Sequence, residues 1–182
     1  PFNAEAVKFN FDRIQEPQSA GVARSFSGPY DSAEVVDPYT VRIKFKESYA
    51  PFLRLVALEP FGQVSPTAVK SMGQDFGRRP VGTGPFIVKE WVPKSHVTMV
   101  RNPDYTWPPA TSTNQGAATL ERVAVKFLVD PPARLASLEA GDTQMIALVP
   151  LQDVPRLQAD PHFRIARGSA TGVPLTFYMN VT

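Results

Sequence analysis

At 182 residues, with 43% hydrophobic and 20% charged side chains, the chain can bury a core but falls short of two full-sized domains. A formal charge of only +2 at pH 7 gives no basic field for nonspecific nucleic-acid binding, so no nucleic-acid partner is expected. The absence of cysteine excludes a disulfide scaffold, thiolate catalysis and sulfur-ligated zinc, and 19 prolines against 11 glycines point to fixed corners rather than disorder.

Behind Asn3, a good N-cap, Ala4, Val7, Phe11 and Ile14 recur at three- and four-residue steps until Pro17, which predicts a short amphipathic helix. Residues 17 to 33, with Gly21, Gly28, Pro29 and several serines, read as loop. Tyr39, Val41, Ile43 and Phe45 then alternate with Thr40, Arg42, Lys44 and Lys46, the period of a strand with one wet face. Pro51 opens a short helix that puts Phe52, Leu55 and Val56 on one face, and Ser65-Pro66 opens a second one closed by Gly73. The glycine-rich stretch from 73 to 84, carrying Arg78 and Arg79, reads as a crossing between lobes.

Strands are expected from about Phe86 to Trp91 and from His96 to Arg101, paired across Pro93-Lys94-Ser95 and stopped by Asn102-Pro103-Asp104. Residues 106 to 118 have almost no hydrophobic anchors and read as a long exposed loop. Val123, Val125, Phe127 and Val129 suit a strand, Asp130 caps a helix that ends at Gly141, and Gln144 to Leu148 suits another strand. That order implies a parallel crossover unit. A helix from Leu151 to Ala159, a strand near Phe163 to Ala166 and a last strand through Val173, Leu175, Phe177 and Met179 complete an α/β reading. With no initiating methionine and apolar alternation still running at the last residues, the chain reads as a piece of a longer protein.

Reactive chemistry is sparse. Gly82-Thr83-Gly84 lacks a third glycine and leads into a strand instead of a helix, so it reads as a tight turn rather than a phosphate loop. His96 and His162 lie on different elements and suit solvent or packing better than a metal. Asp130 and Asp153 occupy cap positions, while Asp104 and Asp160 adjoin prolines in turns. Trp91, Trp107, Tyr105 and Tyr178 are candidates for stacking on a ligand, though core or interface packing is the commoner use. Arg78-Arg79 suits a solvated pair. Because ligands in open α/β sheets sit off the carboxyl ends of strands, Ala147-Leu148-Val149-Pro150 is the expected cleft edge. It offers backbone groups and apolar side chains, which suit binding.

Several motifs occur in a telling order: Pro1-Phe2-Asn3-Ala4-Glu5-Ala6-Val7, Val36-Asp37-Pro38-Tyr39-Thr40-Val41, Tyr49-Ala50-Pro51-Phe52-Leu53, Pro80-Val81-Gly82-Thr83-Gly84-Pro85-Phe86, Arg101-Asn102-Pro103-Asp104-Tyr105 and Leu138-Glu139-Ala140-Gly141-Asp142. The set resembles the extracellular solute-binding proteins of family 5, the peptide-, dipeptide- and nickel-binding components of bacterial ABC importers. Departures are local: Thr106 precedes Trp107, and Gln144 stands where an acidic residue is usual. The resemblance implies an α/β, periplasmic-binding-protein-like (type II, class C) fragment of lobe I, a mixed sheet with flanking helices plus a smaller subdomain. Residues 1–80 would match the extra lobe-I subdomain and 81–182 the part of lobe I nearest the hinge, with the second lobe absent.

The same likeness implies a monomeric, non-enzymatic binding protein without cofactor or metal, periplasmic or extracellular, free or lipid-anchored. It would pass a peptide or other small solute to ABC transporter permease subunits. Ala147, Leu148 and Val149, with Phe177 and Tyr178 on the last strand, would face the solute. A secreted hydrolase domain acting on peptides or glycans is the first alternative that the residues leave open, and a chaperone-like or adhesive interaction module the second.

Overall fold

Asn3 starts the first element as its sequence position predicts. Its side-chain oxygen accepts a hydrogen bond from the Ala6 N–H at 3.0 Å, satisfying a donor that the first helical turn leaves unpaired, and α1 (Ala4–Gln15) follows. The computed structural model describes residues 2–17 and 21–166 of the chain. Their packing falls into two units, Pro1–Phe127 and Leu128–Thr182.

In the first unit, the apolar stripe of α1 lies on a two-stranded antiparallel sheet of β1 (Tyr30–Asp37) and β2 (Thr40–Phe45). Phe11, Ile14, Ala33 and Phe61 form the buried centre, with Val41, Ile43, Phe52 and Leu55 packed around it. The Phe11 ring stacks on Tyr30 at 5.8 Å and lies 6.1 Å from Phe52 and 6.2 Å from Phe61. Within the same stripe, Asn10 is 1% exposed. Its amide donates to the carbonyls of Ala6 and Val64 at 2.8 and 2.9 Å and accepts from the Val64 N–H at 3.1 Å. A buried amide is stable only when its polar atoms are paired this way, and the pairing pins α1 to a strand-like segment 54 residues away in sequence.

The loop expected over 17–33 is corrected here. It contains a short helix, α2 (Val22–Phe26), and the start of β1. Asp31, Ser32 and Glu34 interrupt any apolar alternation, so β1 exists because the β2 ladder supplies its hydrogen bonds, in the register Ala33↔Ile43 and Val35↔Val41. Gly28 between them has φ +62, and a Cβ there would meet the Tyr49 ring at 2.5 Å. Only glycine fits. The β2 alternation holds from Thr40. Tyr39, expected to be its first apolar residue, instead sits in the turn and is 89% exposed. That turn is fastened by the Asp37 carboxylate, which accepts from the Tyr39 N–H at 2.8 Å, and by the Pro38 carbonyl, which accepts from the Ala4 N–H at 2.9 Å.

Two further helices start where expected: α3 (Phe52–Leu55) behind Pro51, and α4 (Pro66–Met72), where Ser65 accepts from the Ala68 N–H at 3.3 Å and Gly73, at φ 53, ends the helix. The stretch read as a crossing between lobes holds a 3-10 helix, Gly73–Arg78. It returns to the body through the Ser65 N–H to Val81 carbonyl bond at 2.8 Å and a bridge between Val64 and Gly82.

β3 (Phe86–Val92) and β4 (His96–Arg101) form the expected hairpin, with Lys94 at φ 62 in its turn. β5 (Arg122–Lys126) adds antiparallel on the other edge of β4, so the sheet order is β3–β4–β5. The strand proposed through Val129 therefore closes at Lys126. Between β4 and β5, residues 106–118 form no helix or strand. Side chains fold this loop on itself: Ser112 donates to the Asn114 carbonyl at 2.8 Å and Asn114 to the Ala117 carbonyl at 2.9 Å.

In the second unit, α5 (Pro131–Glu139) begins at Asp130, whose carboxylate accepts from the Ala133 N–H at 2.9 Å, and it ends before Gly141 at φ 79. A 3-10 turn, Leu151–Asp153, runs into α6 (Val154–Ala159). Leu135 and Leu157 are buried, and Arg156 joins Glu139 and Asp153 by ion pairs. Two expected strands are corrected. Residues 144–148 form no strand: Leu148 has φ 57, outside the extended region, and no ladder among the described residues pairs the segment. The parallel crossover unit that depended on it is not formed, and the sheets among the described residues are antiparallel. Residues 163–166 likewise form no strand. The last strand proposed, through Val173, Leu175, Phe177 and Met179, lies outside the described residues. Among the described residues, no helix is long and apolar enough to cross a membrane.

Candidate functional site

The segment singled out as a cleft edge lies between two anchored turns. On one side the Thr143 N–H reaches the Ser137 carbonyl at 3.1 Å and the Gln144 side chain reaches the Gly141 carbonyl at 3.3 Å; on the other the Asp153 N–H reaches the Pro150 carbonyl at 3.0 Å. Between these fastenings Ala147 and Leu148 are exposed and Val149 is half-buried. Met145 is 87% and Leu148 83% exposed. An aliphatic residue held in the left-handed region at φ 57 costs about 1–2 kcal/mol relative to an ordinary backbone. Backbone strain of this kind clusters at ligand-binding and active sites.

The chemistry on offer is backbone amides and carbonyls beside aliphatic side chains. Ala147, Leu148 and Val149 carry no acid, base or nucleophile, so the segment can grip a ligand but not move its protons. Its position no longer follows from the carboxyl end of a strand, since that strand is not formed. Phe177 and Tyr178, the other two expected solute contacts, lie outside the described residues.

The remaining candidates resolve into structural duties. At Gly82-Thr83-Gly84 the backbone carbonyls are the groups in use: Thr83 accepts from the Trp107 indole at 3.1 Å and Gly84 from the Asn102 side chain at 3.0 Å. A phosphate cradle needs converging N–H donors instead. Tyr105 and Trp107 pack against each other at 5.2 Å beside this turn. His96 meets Glu90 at 3.3 Å, and His162 meets Asp160 at 2.8 Å. The Asp160 carboxyl is held below its usual range, first by the His162 backbone N–H and then by the ring. Among the described residues no three His, Asp or Glu side chains come together as a metal site. Arg78 and Arg79 are both exposed. Asp153, expected to cap by its side chain, makes no such bond and faces Arg156 instead.

One feature was not anticipated. A groove of about 430 Å3 runs between α1 and α4, lined among others by Lys8, Phe9, Asp12, Ser65, Pro66 and Lys70. Its charges are largely matched internally: Lys8 pairs with Asp12, and the Lys70 ammonium lies 5.5 Å over the Phe9 ring. Nearby, the Tyr30 hydroxyl is pushed above the ordinary phenol range by burial and by Asp12, 3.2 Å away. The outward spacing of Glu5, Lys8, Phe9 and Asp12 on α1 was readable beforehand; the approach of α4 was not.

Comparison with known proteins places these observations. The family model described as "Bacterial extracellular solute-binding proteins, family 5 Middle" matches residues 1–182. The glutathione-binding protein GsiB of Salmonella typhimurium is 29% identical over 181 residues, covering 100% of this chain and 34% of the relative. The chain thus spans about a third of the length of the curated relatives it matches. Among solved structures, the periplasmic binding protein DppA of Helicobacter pylori, in complex with the peptide STSA, superposes with a TM-score of 0.74 at 25% identity, over 88% of this chain and 33% of that one. NikA of Brucella suis, in complex with Fe(III)-EDTA, gives 0.70 at 32% identity, over 86% of this chain and 31% of that one. The α/β fold is therefore that of the periplasmic binding proteins, and the chain belongs to family 5 of the bacterial extracellular solute-binding proteins.

Proposed function

We propose that the chain is part of the solute-binding component of a bacterial ABC-type importer, which captures an oligopeptide, a dipeptide or a related small solute and delivers it to membrane permease subunits. The observation that carries this reading is the family match along all 182 residues. The relatives named for glutathione and for a bound peptide favour a peptide-like solute. In this reading residues 1–80 are the extra subdomain of lobe I and 81–182 the part nearest the hinge. The whole protein acts as a monomer in the periplasm or outside the cell, without cofactor and without turnover.

The solute meets lobe I at Ala147, Leu148 and Val149, with Phe177 and Tyr178 from the last strand. The anchored, aliphatic 145–149 segment supports the first group, since apolar contact with a few backbone groups is what an orienting wall supplies. Affinity then comes from closure of a second lobe across a hinge. Calorimetry tests this with peptide mixtures and with metal complexes. The full-length protein is expected to release clear heat with its solute and residues 1–182 little. Equally tight binding by both would refute the two-lobe account, and turnover of a peptide or glycan would refute the non-enzymatic one.

A further inference from the structure

The groove between α1 and α4 carries two carboxylates and two ammonium groups, from Glu5, Asp12, Lys8 and Lys70. Lys8 and Asp12, one turn apart on α1, neutralise each other. Among the described residues neither Glu5 nor Lys70 forms an ion pair. Glu5 lies in the first turn of α1 and Lys70 in the last turn of α4, so each complements the dipole of its own helix. That explains their places along the helices, but not why one carboxylate and one ammonium border the same hollow without meeting.

Their surroundings fix what chemistry could join them. Phe9 stands one turn after Glu5, so the two side chains are neighbours on α1. The Lys70 ammonium lies 5.5 Å over the Phe9 ring, which offers it a face but no countercharge. The hollow of about 430 Å3 falls within the range of about 300–1,000 Å3 usual for small ligands. With the four charges summing to zero, a polyanion would be repelled by Glu5 and Asp12 and a polycation by Lys8 and Lys70. A molecule bearing one ammonium and one carboxylate satisfies both unpaired groups, and Phe9 and Pro66 give its side chain an apolar wall.

We propose that the α1–α4 groove is a binding site for a free α-amino acid, whose α-ammonium meets Glu5 and whose α-carboxylate meets Lys70. This site is separate from the 145–149 segment and does not depend on that segment's role. Methyl NMR of the full-length protein, labelled at alanine and threonine and titrated with L-leucine, tests it. Ala6 and Thr67 line the groove, while Ala147 reports the segment proposed to meet the transported solute. Binding in the groove predicts saturable shifts at Ala6 and Thr67. N-acetyl-L-leucine, without the ammonium, and L-leucinamide, without the carboxylate, should each bind about fivefold more weakly, the share of one exposed charge pair. Glu5→Gln should abolish the penalty for acetylation alone and Lys70→Met that for amidation alone, a split that a mere change of groove shape would not produce. Shifts confined to Ala147, shifts that never saturate, or equal affinity for the three compounds in the unsubstituted protein would overturn the proposal.

Discussion

The two sheets of the first unit each present an apolar side and end differently. In β1–β2, the side bearing Val41 and Ile43 is closed by α1, with Phe11 at the centre. In β3–β4–β5, the side bearing Trp91, Val97 and Val125 keeps Trp91 42% and Val125 43% exposed. Alternation thus specifies that a strand has a face to bury. It does not specify what buries it.

The comparison can be broken most sharply at Phe11. Truncation to alanine leaves the Tyr30, Phe52 and Phe61 rings around a void and is expected to cost about 3–5 kcal/mol, measured by urea unfolding. A loss below about 1 kcal/mol would mean that the α1-covered sheet is no better packed than the open one. Asn10→Ala comes next. It strands the N–H and carbonyl of Val64, with an expected loss of about 1–3 kcal/mol, and hydrogen exchange at Val64 should rise with it. Gly28→Ala forces both a left-handed alanine and a clash with Tyr49. Its expected cost is about 1–2 kcal/mol for the backbone alone, and the clash share should vanish when the change is made in a Tyr49→Ala background.

Smaller effects sharpen the contrast from the open side. Leu148→Gly relieves the φ 57 backbone and is expected to leave stability unchanged or raise it by up to about 1 kcal/mol, where glycine at an ordinary exposed position lowers it. Solute affinity of the full-length protein should fall in the same variant. A loss of stability without a loss of affinity would remove Leu148 from the site. The least effect is expected in acid. The Thr40 side chain and the Tyr39 N–H hold the Asp37 carboxyl below its ordinary range, so its contribution is present above the unfolded carboxylate range and lost as pH falls through the lowered folded value. Carbon NMR titration of Asp37 should show that lowered midpoint, together with loosening of the turn at Tyr39.

What could be read beforehand follows from how local each signal is. Asn3, Ser65 and Asp130 each accept the backbone N–H three residues on, so the starts of α1, α4 and α5 were legible from single residues. The β1 strand was not, because Asp31, Ser32 and Glu34 hide it until β2 offers a ladder. The opposite error occurred at Gln144 to Leu148 and Phe163 to Ala166, where apolar residues suited a strand that no neighbour among the described residues pairs. The candidate site was proposed from a resemblance to known binding proteins. Its crossover argument failed with the strand, and the left-handed Leu148 that now distinguishes it leaves no mark in composition or spacing.

The loop between β4 and β5 has a closed stem. The Arg101 N–H binds the Glu121 carbonyl at 2.8 Å at its base, and the Trp107 indole holds its outgoing limb to Thr83 at 3.1 Å. Everything from about residue 109 to 118 therefore hangs beyond a latch that already sets where β5 returns. Because lengthening a closed loop adds little entropy cost, evolution or an engineer can exchange that tip for a longer insert or a tag while the strands beneath keep their alignment.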